Sequence, residues 1–161
     1  MDKIIFLDID GVLNVIPQGH DKYGSQFHKH FEDNLRNLIE RTGAKIVLSS
    51  TWRMSGLSVI QEMWKVRNLA GEVIDITPCA RWMEGNEIEG HDRGYEIQHW
   101  LDRNTVKCFV IIDDDTDMLE SQKNNFVKTS DNIDHEDCID VGYGLTKQCV
   151  ERAVAILNNC N

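Results

Sequence analysis

Three groups of polar residues, far apart in the chain, each follow a short apolar run. Asp8 and Asp10 come after Ile4-Ile5-Phe6-Leu7, Ser49, Ser50 and Thr51 after Ile46-Val47-Leu48, and Asp113, Asp114 and Asp115 after Val110-Ile111-Ile112. If the first strand continues through Asp10, its two acids share a face, because side chains alternate along a strand. Their repulsion needs a counterweight: a bound cation, a basic side chain, a shared proton or bulk water. Carboxylates from two strand ends facing hydroxyls from a third suit a hard divalent cation with a phosphate beside it. Magnesium fits, since it keeps several waters and takes one or two carboxylates plus phosphate oxygens. A carboxylate left free on the substrate side can then attack phosphorus to form an aspartyl-phosphate. Asp10 is placed to protonate the leaving oxygen and later to activate water.

These residues need a scaffold that brings strand ends together, and the apolar periodicity supplies one. Strands are expected over Lys3–Asp8, "AKIVLSS", "EVIDIT", "CFVIIDDD" and "NFVKT", and helices over Phe31–Arg41, Leu57–Leu69, Gly94–Arg103 and Leu145–Leu157. Two stretches read as irregular: Asn14–Gln26, a loop or small flap with Pro17, Gly19 and Gly24, and Pro78–Asp92, a loop over one end of the sheet. Strands alternating with helices of this length imply an α/β fold, a doubly wound, mainly parallel sheet with helices on both faces. Sites in such sheets lie at the carboxyl ends of the strands, where all three polar groups fall.

The 161 residues suit one domain, residues 1–161, with a substantial core. A hydrophobic fraction of 41% and a charged fraction of 27% are ordinary for a globular protein. The net charge of -10 argues against general nucleic-acid or membrane-surface binding and leaves room for a local basic pocket. No apolar run reaches the length of a membrane span and the N-terminus lacks a signal-peptide pattern, so cytoplasmic residence and no membrane partner are expected. The five cysteines show no CxxC pairing and read as buried or idle thiols. His28-Lys29-His30 is the nearest approach to a zinc pattern and falls short of one.

"FLDIDGVLN", "IVLSSTW" and "VIIDDDTDM" resemble the first, second and fourth motifs of the haloacid dehalogenase-like (HAD) phosphohydrolases, and Arg93 in "HDRGYEIQHWL" best fits their basic third motif. The segments "IVLSSTWR" and "RGYEIQHWL" are similar to small domains of this family in RNA-repair proteins. The resemblance implies a Rossmann-like core and a phosphomonoesterase with Asp8 as nucleophile and Asp10 as acid/base. It places Mg2+ on Asp8, Asp10, Asp113 and Asp114, and Ser49 and Ser50 with the phosphate. The family often carries a cap domain. Only about 20 residues separate Asp10 from the first helix, so a minimal cap and an open site are expected, suited to a large phosphorylated substrate such as a nucleic-acid end or a phosphoprotein, or to a small nucleotide if the loops fold over it.

Several assignments stay open at this level. With three consecutive acids plus Asp117, the metal ligand among them is not unique. Arg93, Lys107 and Arg53 compete to clamp phosphate. Trp52 and Arg53 can stack on and pair with a nucleotide, or Trp52 can serve as core; Trp82 beside Arg81 carries the same ambiguity, while Trp64 and Trp100 read as helix core. Simpler readings exist as well: a turn at Asp8 and Asp10, caps at Ser49 to Thr51, an acidic helix start at Asp113 to Asp117. A turn at Asp8 and Asp10 would not explain the other strand ends. A phosphoacceptor signalling domain would place its acceptor Asp on a central strand after an acidic pair on the first, which is not the order here. A catalytically idle phosphate- or metal-binding domain is the remaining alternative, since fold alone does not decide function.

Overall fold

The run Ile4-Ile5-Phe6-Leu7 is apolar at every position because its strand, β1 (Asp2–Leu7), is covered on both faces. Ile5 and Leu7 join a cluster with Phe31, Leu35, Ile60 and Val150, whereas Ile4 and Phe6 join one with Ile97 and Trp100. The computed structural model describes residues 2–15, 18–80, 92–129 and 143–159. Along these run a hairpin of β2 (His20–Asp21) and β3 (Gly24–Ser25), then α1 (Lys29–Thr42), β4 (Lys45–Leu48), α2 (Leu57–Val66), β5 (Val73–Ile76), α3 (Arg93–Leu101), β6 (Val106–Asp113), β7 (Phe126–Lys128) and α4 (Lys147–Asn158).

The five long-range strands pair in parallel in the order β5-β4-β1-β6-β7. The chain therefore winds outward from β1 through β4 to β5, then crosses back to build the other half through β6 and β7. The crevice where the direction reverses opens beside the carboxyl ends of β1 and β6, the place where open α/β sheets bind ligands. Helices α1, α2 and α4 cover one face and α3 the other, which is the expected Rossmann-like HAD architecture.

Helix limits differ from the periodicity where caps intervene. Helix α1 starts at Lys29 because the His28 ring accepts from the His30 amide, and it stops at left-handed Gly43. Helix α2 ends at Val66, short of Leu69, because Asn68 takes φ 53°. The loop expected over Pro78–Asp92 falls largely outside the described residues, as do Arg81, Trp82, His91, His135, Cys138 and Cys160. Cys79 and Cys149 are free thiols. Cys108 is buried and disulfide-bonded, where a buried or idle thiol was expected. No described helix is long and apolar enough to cross a membrane.

Candidate active site

The first acid pair separates where β1 ends. The ladder continues through Asp8, whose amide donates to the Ile112 carbonyl at 3.0 Å. The chain then curls: the Ile9 carbonyl accepts the amides of Val12, Leu13 and Asn14, and Gly11 adopts φ 73°. Asp10 is therefore in a loop, exposed, and does not share a strand face with Asp8. Its Oδ1 accepts from Asn14 Nδ2 at 2.6 Å and its Oδ2 from Trp52 Nε1 at 3.0 Å. The repulsion expected between Asp8 and Asp10 is relieved by this turn.

The repulsion lies instead between strands. The register pairs Leu7 with Ile112 and with Leu48, so Asp8 has Asp113 on one side and Ser49 on the other. Alternation puts all three on the α3 face, with Ile4, Phe6, Val47 and Ile111. Oxygens of Asp8, Asp113 and Asp114 lie within 4.8 Å of one another, the one group among the described residues suited to a metal ion. Gly11 makes this possible, since a Cβ there would lie 2.2 Å from Asp114 Cγ. Asp113 Oδ1 accepts from the Asp115 amide at 2.9 Å, while its buried Oδ2 has no hydrogen-bond donor. Three gathered carboxylates with an unsatisfied buried oxygen fit a hard cation.

Arg93, the first residue of α3, supplies the opposing charge. Its Nη1 lies 3.6 Å from Asp8 Oδ1 and 3.8 Å from Asp113 Oδ2, and it donates to the Ser49 carbonyl. The helix start is pinned by Asp117, whose Oδ2 accepts the Arg93 amide at 2.9 Å. Gly94 lets the turn approach closely, because a Cβ would lie 2.6 Å from the Leu119 amide nitrogen. Burial pushes the Asp8 carboxyl up to about 6, against the lowering pull of Arg93, the Ser50 hydroxyl and the Ile9 amide. Burial, and next the Asp8 charge, push Asp113 up to about 8, with Arg93 opposing. Burial disfavours the Arg93 cation, yet Asp113 and Asp8 outweigh it and raise its value further.

The remaining candidates separate clearly. Ser50 addresses Asp8, whereas the buried Ser49 hydroxyl accepts from Thr77 Oγ1 at 3.4 Å. Asp115 is exposed and Asp117 is occupied capping α3. Lys107 sits at the opposite end of β6 from Asp113, so it does not reach the cluster. Arg53 is buried and turned to Glu96, with Nη2 donating to Oε2 at 2.6 Å. Trp52 is half-buried, edge-on to Phe27 at 5.5 Å and packed against Gly24 of the hairpin. Sequence reasoning missed Glu96 and Arg67. Glu96 carries a usable signal, one helical turn after Arg93. Arg67 carries none: it bonds Asp21, 46 positions away, and lies over the rings of Phe27 and Trp52.

A doubly wound core with an acidic cluster at its switch point and a basic residue at the following helix start defines a HAD-like domain. The chain belongs to the family described as the HAD domain in Swiss Army Knife RNA repair proteins, whose model matches residues 4–134. No curated protein and no solved structure matches the chain. HAD domains are generally hydrolases, and the three-Asp cluster accords with phosphatase-type chemistry.

Proposed function

We propose that the domain is a magnesium-dependent phosphomonoesterase acting through an aspartyl-phosphate, on the phosphate of a nucleotide or nucleic-acid end. The observation that carries the reading is the meeting of Asp8, Asp113 and Asp114 under the Arg93 guanidinium. Asp8, Asp113 and Asp114 would hold Mg2+, which when bound neutralises charge beside the phosphate. Arg93 and the Ser50 hydroxyl bind phosphate oxygens at the edge of the cluster and orient phosphorus toward Asp8. An Asp8 oxygen attacks phosphorus, the bond to the leaving oxygen breaks, and Asp10 gives that oxygen a proton. Asp10 then takes a proton from water, which attacks phosphorus. The bond to Asp8 breaks and inorganic phosphate leaves.

The family's connection with RNA repair supports a nucleic-acid end as the substrate. Between Asp10 and α1 the described chain builds only the short β2–β3 hairpin, which suits a large substrate. The test is hydrolysis of a generic aryl phosphate by Asp8→Asn and by chelator-treated protein: both should fall to background. Undiminished turnover in either would refute the mechanism.

A further inference from the structure

We infer that the cavity bounded by the Thr51–Ser55 turn, β5 and the far half of α3 is a nucleobase subsite for the end nucleotide whose phosphate lies at Asp8. This deepens the proposed function and rests on its reading of the substrate. The cavity has a volume of about 480 Å3, within the range of small-ligand sites. It lies beside the acidic cluster without sharing its residues. Thr77, in its wall, bonds the Ser49 hydroxyl, and Glu96, partner of Arg53, follows Arg93 by one turn of α3. Strand β5 is two strand spacings from β1, roughly 10 Å, which a single nucleotide spans.

The chemistry of the wall indicates the occupant. Arg53 is 8% exposed and lines the cavity. Its Nη2 is held by Glu96, while Nε and Nη1 are buried with no acceptor. The other Glu96 oxygen, Oε1, accepts the Ala80 amide at 2.9 Å. A buried guanidinium with unused N–H groups calls for an acceptor from outside. Met54, Ile76, Pro78 and Trp100 supply apolar surface. The Trp100 indole N–H is already given to Asp75 Oδ2 at 2.7 Å. Apolar walls with the spare Arg53 donors among them suit a flat ring with acceptors along its edge, as O6 and N7 of guanine present to arginine. Arg103, exposed on the same wall, adds a cation where a neighbouring phosphodiester would pass. In a chain of net charge -10, such a local basic spot is what capture of a polyanion requires.

The test separates this inference from the phosphatase reading by using nucleosides that carry no phosphate. Guanosine, adenosine, cytidine and uridine are titrated into the protein while the Trp100 indole N–H resonance is followed. Guanosine should shift it with saturation, and Arg53→Lys, which keeps the charge for Glu96 but loses the spare donors, should weaken that binding about tenfold. Should Arg53→Lys fail to fold, Arg103→Glu is read instead with the dinucleotide GpG, whose affinity should drop several-fold at low salt and less at high salt. No shift with any of the four nucleosides, or binding indifferent to both substitutions, overturns the subsite even if aryl phosphates are hydrolysed. Preference for a phosphotyrosine peptide over every phosphorylated nucleotide overturns it too. Nucleoside binding in a protein that turns over no phosphate supports the subsite and sinks the phosphomonoesterase assignment.

Discussion

Asp113→Asn should make the metal-free protein more stable and at the same time blind to divalent cations. Asp113 is 1% exposed, with an oxygen that no hydrogen-bond donor reaches. In the variant the amide oxygen keeps the bond from the Asp115 amide, and the new NH2 replaces an unsatisfied acceptor beside Asp8. The folded protein holds Asp8 at about 6 and Asp113 at about 8, both above the ordinary 3.8. Stability from such groups is complete below pH 3.8 and is lost as pH rises through those folded values. Each pH unit in that window costs about 1.4 kcal/mol per raised group. The two acids raise each other, so the costs overlap, and burying an amide offsets part of the gain; about 2 kcal/mol in favour of the variant at pH 7–8 is the expected net. For a chain of this size that is a Tm higher by roughly 4–8 °C. The assay is thermal unfolding of chelator-treated wild type and variant from pH 5 to pH 8, repeated with millimolar Mg2+. The gap should widen with pH, and Mg2+ should close or reverse it by stabilising wild type alone. A metal-free variant less stable than wild type at pH 8, or equal stabilisation of both by Mg2+, would refute the account of the cluster.

Three further outcomes follow from the geometry. Trp52→Phe keeps the ring packing but removes the N–H from Asp10; if Asp10 is the acid, kcat should fall several-fold more on alkyl phosphates than on nitrophenyl phosphate, whose leaving group needs little protonation, and an equal loss on both would limit Trp52 to packing. Gly11→Ala places a Cβ into Asp114 at a left-handed φ, so Mg2+ stabilisation in thermal unfolding should be largely lost; unchanged Mg2+ affinity would show that Asp114 does not contribute. Arg93→Ala should cut kcat/KM for aryl phosphate by about 100-fold or more, whereas Lys107→Ala, at the far end of β6, should match wild type; the reverse order would overturn the assignment of the clamp.

Much of the fold is legible in local pattern. Runs such as Ile46-Val47-Leu48, apolar at every position, mark strands buried on both faces, and the 3.6-residue spacing of Leu35, Leu38 and Ile39 marks a helix with one covered side. Alternation of the two periods is enough to specify a parallel sheet, and the ends of its strands are then the place to look for chemistry. Asp8, Ser50, Asp113 and Asp114 were accordingly nameable before any coordinates, because each sits beside such a boundary, whereas Arg93, at a helix start, was named only through the resemblance to the family's third motif.

What the local pattern does not contain is where the chain leaves a strand and what meets across it. Asp10 follows Asp8 in the same motif, yet three amides converging on the Ile9 carbonyl turn it out to Trp52. Among the acids after β6, one joins the cluster because Gly11 leaves room for it, and another is claimed by the amide of Arg93. Arg53, next to the second motif, is drawn away by Glu96, 43 positions distant. Residue type and spacing along one strand determine which groups arrive at an edge of the sheet. Which charges then face one another depends on register between strands and on hydrogen bonds closed over tens of residues, and those exist only once the chain has folded.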